Sequence, residues 1–442
     1  MNFNTTSFHR RLFFVLLVLL PTQLGYHMWP SWSIVLGRRI DYLSPTLYLT
    51  DLLIMGVLLS WVLRRAPRNG RDQGSRKAVS QQKRFLPMRT ILYIGAAGAF
   101  IAFNIFFAKR PPVAMYAWLK MLELILLGWY IVRAKPDFPT VVMGLSVGLF
   151  YSSFVAIVQF VFQHSIGGPL WWLGERSFSL STPGIARLSW CLMPFVESCK
   201  ETLRVYGTFS HPNVLGGYNA ALLPIIVFQI LFGKLSYRTR SFYIGTCFIG
   251  LLALVLTFSR SAWVGFGFGI GILYYFFISK KRIIGRNILL FLILLFAFFT
   301  ALSLPVRTDE SVVLRASLNQ SASTLWSRSP LLGVGLGNFT DALPDVTHVR
   351  QANSLQPVHN IYLLVLSETG VAGFIFFVVF VGLLVWEEVA GLSQKKQQPS
   401  IYVIPLICLL LLGLVDHYSL TLQQGQLLFV VVIASVLSKR SV

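Results

Sequence analysis

The sequence predicts an all-α fold, a polytopic membrane helix bundle of about 12 transmembrane helices that forms a single transmembrane domain over residues 1–442. The chain is 55% hydrophobic and only 12% charged, about half the charged fraction of a typical soluble domain. Its apolar residues fall in long blocks, and a helix of roughly 20 such residues crosses a hydrocarbon core about 30 Å thick. The predicted spans are residues 12–29, 43–63, 91–108, 113–132, 139–163, 212–232, 242–258, 262–279, 287–305, 359–386, 401–420 and 425–438.

The basic residues predict the orientation of these spans. Segments on one side carry 24 lysines and arginines against 4 acids, whereas the other side carries 13 against 8. Cytoplasmic loops retain lysine and arginine, so we place both termini and the flexible basic loop 64–90 in the cytoplasm. Most of the net charge of +22 is therefore a topology signal, which favours membrane lipids as partners and no nucleic acid. The outer side is also net positive, which favours something anionic there.

Two long loops lie on the predicted outer side, at about 164–211 and 306–358. The second contains a rough helical stripe of apolar residues that stops at Pro330, a pattern typical of an interfacial helix. Three glycines at 333–337 then allow a tight turn or a close backbone approach. Because the other outer connections are short, these two loops are the expected place for a substrate site.

Three polar clusters interrupt the apolar pattern, and the predicted topology places all of them at the outer rim. The cluster Arg204–Asn213 includes Pro212, which suits the first turn of the next span and takes its cap from a residue just before it. The cluster Ser259–Ser261 is a tight turn between two spans, which fixes its central arginine in space. The cluster Pro357–Asn360 opens a long span and places His359 in the first helical turn.

The order of these motifs resembles that of the O-antigen ligase and polymerase superfamily. His359-Asn360, followed after nine residues by Gly370-Val-Ala-Gly373, is similar to its H-N-x9-G-x-x-G signature. The other matching motifs, in the family's order, are residues 42–51, Arg204–Asn213, Ser259-Arg260 and residues 329–339. Each motif alone is unspecific, whereas the ordered set extends over nearly the whole chain and indicates the family.

This resemblance implies a glycosyltransferase of the bacterial plasma (inner) membrane, with its active site facing the periplasm or outside. Such enzymes transfer a glycan from an undecaprenyl-diphosphate carrier to an acceptor hydroxyl, here with inversion; lipid, glycan and protein acceptors all stay open. The residues to which the motifs assign catalysis are Arg204, Arg260 and His359. The residues to which we assign substrate binding are His211, Asn213, Asn360 and Arg315.

The chemistry of these side chains agrees with that reading. Arginine keeps its proton and offers a planar fork to a diphosphate leaving group. Its alternative role at a membrane rim is to reach lipid headgroups, and we prefer that role for Arg328 and Arg350. A neutral His359, near the positive end of a helix dipole, can accept the proton of an acceptor hydroxyl. Its alternative roles are to cap its own helix or to bond to an outer loop.

We predict no cofactor and no metal ion. None of the outer acids forms a DxD-type pair beside the arginines, so arginine takes the role that a divalent cation has in many other sugar transferases. Cys191 and Cys199 share one outer loop, and a disulfide between them is left open.

A few charged residues fall within the predicted spans, where a carboxyl group needs a partner. Lys120 and Glu123 are three residues apart on one helix and can neutralise each other. Glu368 lies too far along its helix to orient His359, so we expect a structural pairing for it. Asp416, with the histidine that follows it, ends another span and is expected to line the same outer cavity.

Two other readings remain beside the ligase-like enzyme. One is a polysaccharide polymerase of the same superfamily. The other is a transporter or flippase of lipid-linked saccharides, with a non-enzymatic assembly factor as a further option. Transporters are typified by paired halves, interrupted helices and polar residues near the midplane, whereas this sequence has no visible repeat and gathers its polar residues at one rim.

Overall fold

The computed structural model describes residues 7–65, 88–190, 200–275, 310–347, 355–393 and 400–440, and most of them are helical. The longer helices are α1 Phe8–Val18, α2 Leu49–Arg65, α3 Met88–Phe106, α4 Pro111–Ala134, α5 Phe138–Phe162, α6 Pro212–Phe232, α7 Tyr237–Leu256, α8 Arg260–Leu273, α9 Glu310–Arg328, α10 Ile361–Ser393, α11 Val403–Leu412 and α12 Gln423–Arg440. Short α-helical turns lie at Phe339–Ala342 and Tyr418–Thr421, and 3-10 turns at Ser31–Ser33, Asp41–Leu43, Gly168–Leu173 and Leu343–Asp345.

The prediction of a mostly helical fold is confirmed, and short strands occur in the connecting segments. The antiparallel pairs are β1 (Gly25–His27) with β4 (Thr46–Tyr48), β2 (Ile34–Val35) with β3 (Arg38–Arg39), and β5 (Arg187–Trp190) with β6 (Lys200–Leu203). The first of the two long loops that are predicted to lie outside therefore carries an antiparallel strand pair and a 3-10 turn. The second carries α9, the helix that the apolar stripe predicts.

The described helices agree with a membrane protein. Those long and apolar enough to cross a bilayer are α4, α5, α6, α7 and the part Ile361–Ala390 of α10. The count of about 12 spans stays a prediction. The predicted span 287–305, residues 66–87 of the basic loop, and Cys191 and Cys199 all lie outside the described residues.

Helix α6 is the most enclosed of these helices, with 83% of its apolar window buried. It packs against α5, α7, α8 and α11. Its bounds match the predicted span 212–232, because Pro212 needs no N–H partner in the first turn and His211 Nδ1 accepts from the Asn213 N–H at 3.1 Å. The segment Arg204–Asn213 therefore lies at the centre of one end of the bundle, which we call the site end.

The predicted first span, residues 12–29, is wrong. Helix α1 covers only Phe8–Val18, which is about 16 Å of helix and about half of a hydrocarbon core. The chain then extends into β1, which pairs with β4. The apolar composition of this segment does not reveal the pairing, because the partner strand is distant in sequence.

Helix α10 is broken at Gly370, whose φ of +65° and ψ of −171° are not helical. A Cβ at this position would overlap the backbone of Leu331, so the loop after α9 lies directly on the break. The close backbone approach that the sequence predicts for the glycines at 333–337 is confirmed, because a Cβ on Gly333 would overlap the backbone of Glu368. The backbone hydrogen bonds that join loop and break run from Val334 N to Ser367 O at 2.9 Å, from Gly335 N to Glu368 O at 3.0 Å and from Val371 N to Pro330 O at 2.8 Å.

The charged side chains within the spans have partners. Lys120 Nζ lies 2.8 Å from Glu123 Oε2, as predicted, and 2.7 Å from Asp51 Oδ1. Glu368 Oε1 accepts from the Phe339 N–H at 3.1 Å, which confirms its structural pairing. Through these contacts the carboxyl groups within the spans connect segments of the fold at a distance from His359.

Candidate active site

Arg204 directly follows strand β6, and its guanidinium group donates hydrogen bonds to two residues. Its Nε donates to the Thr257 carbonyl at 2.8 Å, and its Nη2 donates to Asn213 Oδ1 at 2.8 Å. Thr257 lies three residues before Arg260, at the end of α7. Two of the predicted motifs therefore meet through one guanidinium group.

Asn213 continues this contact towards the C-terminal part of the chain. Its Nδ2 donates to Asp416 Oδ2 at 3.1 Å. The Asp416 side chain is buried, and its Oδ1 also accepts from the His417 N–H at 2.9 Å. Asp416 lies between α11 and α12, where the predicted span 401–420 is interrupted after Leu412.

His359 completes the cluster. Its Nδ1 lies 3.6 Å from Asp416 Oδ1, slightly longer than a hydrogen bond, and this buried nitrogen has no hydrogen-bond partner among the described residues. Its Nε2 lies 3.4 Å from Gln356 Oε1. Catalytic hydrogen bonds are often long before substrate binds and shorten in the reactive complex. The position of Nδ1 suits an imidazole that donates to Asp416 once this contact shortens. To accept a proton, Nε2 must exchange its contact with the Gln356 oxygen, to which it can only donate, for a contact with an acceptor hydroxyl.

The surroundings favour an ionised Asp416 and a neutral His417. Burial alone would raise the pKa of Asp416, but the contact from His359 and the neighbouring imidazoles outweigh it and hold this pKa below its usual range. Burial lowers the pKa of His417 to about 3. His417 Nδ1 also lies 2.6 Å from the Thr421 hydroxyl. Asp416 is therefore the negative partner for His359 at neutral pH.

Tyr42, from the motif at residues 42–51, also reaches this cluster. Its ring meets the His417 ring edge-on at 5.6 Å between centroids. Burial raises the pKa of Tyr42, and the Asp416 charge raises it further, so the phenol keeps its proton. The centroids of the His417 and His359 rings lie 4.9 Å apart, so a second imidazole packs against His359.

Two arginines act electrostatically on the histidines at this end of the bundle. Burial lowers the pKa of His211, the Arg204 charge lowers it further, and the Arg315 charge adds to the effect. Arg315, in α9, also lowers the pKa of His417. Arg260 is the exposed first residue of α8. No ion pair within the described part of the chain involves Arg260.

The start of α10 corrects the predicted position of His359. The helix begins at Ile361, so His359 lies just before it and not in its first turn. Asn360 is the cap, since its Oδ1 accepts from the N–H groups of Tyr362 and Leu363 at 2.9 and 3.0 Å. These contacts give Asn360 a structural role as the cap of α10. A further role in substrate binding stays a prediction.

A metal ion is a chemical alternative at this place. His359, Asp416 and His417 each offer a ligand atom, and these atoms lie within 4.8 Å of one another, a grouping that transition metals use. His417 Nδ1 already has the Thr421 hydroxyl as a partner, and both Asp416 oxygens accept hydrogen bonds. We therefore interpret the three residues as a hydrogen-bonded site, and metal independence stays a prediction that is tested below.

The central role of Asp416 escaped the sequence analysis. Asp416 does lie close to His359, and its contacts with Asn213 and His359 join residues far apart in the chain. The signal in the sequence was an acidic residue and a histidine at the end of an apolar block. That signal indicates a polar site, but it does not identify the residues that Asp416 contacts.

A buried Asp416 close to His359, at one end of a bundle of membrane-type helices, is a candidate functional site. Residues 245–378 match the family model described as O-antigen ligase, and this match supports the predicted resemblance to the O-antigen ligase superfamily. The matched segment contains Arg260, Arg315 and His359, and it ends before Asp416. A search of curated proteins finds no match to the chain.

Proposed function

We propose that the protein is an inverting glycosyltransferase that moves a glycan from an undecaprenyl-diphosphate carrier to an acceptor hydroxyl at the outer face of the bacterial plasma membrane. The observation that carries this proposal is the path of contacts from Arg204 through Asn213 and Asp416 to His359. It connects a group suited to a diphosphate with a group suited to a hydroxyl proton. The match to the O-antigen ligase family supports the same reaction class.

His359 acts as the general base in this proposal. Its Nδ1–H points to the ionised Asp416, which fixes the tautomer and leaves the Nε2 lone pair for the acceptor proton. The acceptor hydroxyl gives its proton to Nε2 while its oxygen attacks the anomeric carbon. Asp416 also stabilises the imidazolium that forms. It positions His359 and does not contact the substrate itself.

The arginines act on the leaving group. As the bond between the anomeric carbon and the phosphate oxygen breaks, its electron pair goes to undecaprenyl diphosphate. A guanidinium group aimed at that oxygen stabilises the developing charge. Arg260 is exposed at the helix start, which suits it to contact the diphosphate, whereas Arg204 is fixed between Thr257 and Asn213.

The structure bears on the transporter alternative through the break in α10. Interrupted helices in transporters expose backbone groups to a substrate cavity. Here the amides and carbonyls next to Gly370 are bonded to the loop Pro330–Gly335. The break therefore serves packing, and it does not favour a transport path. A polymerase of the same superfamily would use the same chemistry with a growing glycan as acceptor.

The purified full-length protein is expected to transfer glycan from the lipid-diphosphate donor to an acceptor without ATP, and EDTA is expected to leave the rate within about twofold. The reason is that arginines take the role of a cation in charge stabilisation. Initial rates with and without EDTA, followed by mass spectrometry of the product, measure this. Complete loss in EDTA that is restored by zinc or manganese would assign the three residues His359, Asp416 and His417 to a metal.

Replacing Arg260 with lysine is expected to reduce transfer nearly as much as replacing it with alanine, by roughly 10- to 100-fold. Lysine keeps the charge but lacks the bidentate fork that matches phosphate. The matched control is Arg328→Lys, at an exposed outer-loop arginine that bonds the Asp345 carbonyl, and it should stay near the wild-type rate. If Arg260→Lys also has the wild-type rate, Arg260 provides only bulk charge or a lipid anchor.

A further inference from the structure

A cavity of about 290 Å³ opens at the end of the bundle opposite the site end, and its lining residues are His9, Arg10, Trp61, Arg64, Arg133 and Ala134. Helix α1 begins there, and α2 and α4 end there. The other end of α1 leads to Pro21, whose carbonyl accepts from the Thr208 hydroxyl in the segment Arg204–Asn213. The cavity and the candidate active site are therefore separated by the length of the bundle.

Three different helices each bring one arginine to this cavity. Arg10 Nη2 lies 3.4 Å from the Ala134 carbonyl at the end of α4, and Arg64 Nη1 lies 3.3 Å from His9 Nε2. Arg133 is exposed beside them. Within the described ranges, no carboxylate forms an ion pair with any of the three. Three like charges around one space repel each other, so an anion bound between them stabilises the arrangement.

The inner wall of the cavity is built and buried. His9 is 3% exposed, its Nδ1 lies 2.9 Å from the Tyr130 hydroxyl, and its Nε2 lies 2.8 Å from the Ser7 hydroxyl. Trp61 packs edge-on against Tyr130 and against Trp129. Trp61 and Tyr130 are buried, whereas Trp129 is exposed beside them, as tryptophans at the headgroup level of a membrane are. The cavity thus has a fixed floor and an exposed tryptophan next to it.

Apolar side chains next to the arginines are exposed on the outside of the helices. Val62 and Leu63 precede Arg64, and Trp129 lies one turn before Arg133; all three are large exposed hydrophobic residues. A ligand with acyl chains can rest on this surface while its phosphate enters the cavity. A soluble anion gains nothing from the apolar neighbours.

We propose that this cavity binds the phosphate headgroup of an anionic membrane phospholipid, in the leaflet opposite the candidate active site. Guanidinium groups form charge-assisted, paired hydrogen bonds with phosphate oxygens. Basic pockets between membrane helices are suited to such headgroups. The site does not depend on the proposed transferase activity, because it lies at the other end of the bundle and uses none of the same residues.

The test uses the full chain in neutral detergent and phosphatidylglycerol that carries a fluorophore on one acyl chain. In the double variant Arg64→Gln/Arg133→Gln we expect the affinity for this lipid to fall roughly tenfold, the loss expected from one strong charged hydrogen bond. The matched control is Arg238→Gln/Arg240→Gln, with the same loss of charge at exposed positions near the start of α7. It should change the affinity less than about twofold. Phosphatidylcholine with the same fluorophore should bind weakly to all three proteins.

A second measurement on the unchanged protein does not depend on how the variants fold. Excess unlabelled phosphatidylglycerol should displace the probe, whereas phosphatidylcholine and millimolar inorganic phosphate should not. Displacement by inorganic phosphate would show that the cavity binds a soluble phosphate ligand, and it would overturn the proposal. Equal losses in both double variants, or equal binding of the two lipids, would show attraction by diffuse charge and no site.

Discussion

The His359→Ala protein is expected to transfer glycan about 10²–10⁴-fold more slowly than the wild type while it binds the lipid-linked donor normally. A positioned base contributes about this factor to a proton transfer. Donor binding depends on the arginines instead, because the diphosphate charge exists before the reaction begins. Initial transfer rates and donor affinities of equal amounts of monodisperse protein separate the two effects.

The structure makes the alternative role of His359 easy to distinguish. If His359 only supported its helix, its loss would cost about 1 kcal/mol of stability and turnover per folded molecule would hardly change. That role belongs to Asn360, which accepts from two N–H groups at the start of α10. The matched control is His164→Ala, at an exposed histidine in the first outer loop, with an unchanged rate. If donor binding and turnover both fall in His359→Ala, His359 contacts the diphosphate of the donor and does not act as the general base.

Replacing Asp416 with asparagine is expected to lower the transfer rate by about 10²–10⁴-fold, because an amide of the same shape no longer fixes the tautomer of His359 or stabilises its protonated form. The pKa of Asp416 is held below its usual range, so the carboxylate stays ionised throughout the range of an activity assay. The acid limb of the rate profile then reports the imidazole. Without the negative charge, protonation of that ring is less favourable, and the acid limb should move to lower pH.

The control for this change is Asp341→Asn. Asp341 is also a buried carboxylate, and it pairs with Arg110 at 3.2 Å. Its loss should lower the Tm, whereas the pH profile of transfer should keep its position. A slower Asp416→Asn enzyme with an unmoved profile would mean that Asp416 only supports the fold.

Local signals in the sequence predicted the helices whose ends depend on their own residues. The span 212–232 matches Pro212–Phe232, because proline and a capping side chain at its start act within one turn. The span 139–163 matches Phe138–Phe162, where Asp137 accepts from the Thr140 N–H at 3.1 Å. Such contacts join residues that are neighbours in the chain, so they can be predicted from the sequence.

Contacts between distant residues could not be predicted in the same way. The approach of Asp416 to His359 depends on α11 ending at Leu412 and on Asn360 Nδ2, which donates to the Leu414 carbonyl at 3.1 Å. Likewise, the predicted span 359–386 is unbroken, and only the docked loop reveals that Gly370 breaks the helix. In both places the helical pattern continues in the sequence where the backbone does not.

The docked loop at Gly370 also has a consequence for how the protein is made. The chain enters the membrane from its N-terminal side, so the segment Pro330–Gly335 is synthesised before α10. An unsatisfied peptide group in hydrocarbon costs several kcal/mol, which favours an initially straight α10 during insertion. The break can form only when the earlier loop supplies the replacement hydrogen bonds. We therefore expect the final position of His359, eleven residues before Gly370, to be set late in biogenesis, after a segment that looks like a surface loop has become part of the interior.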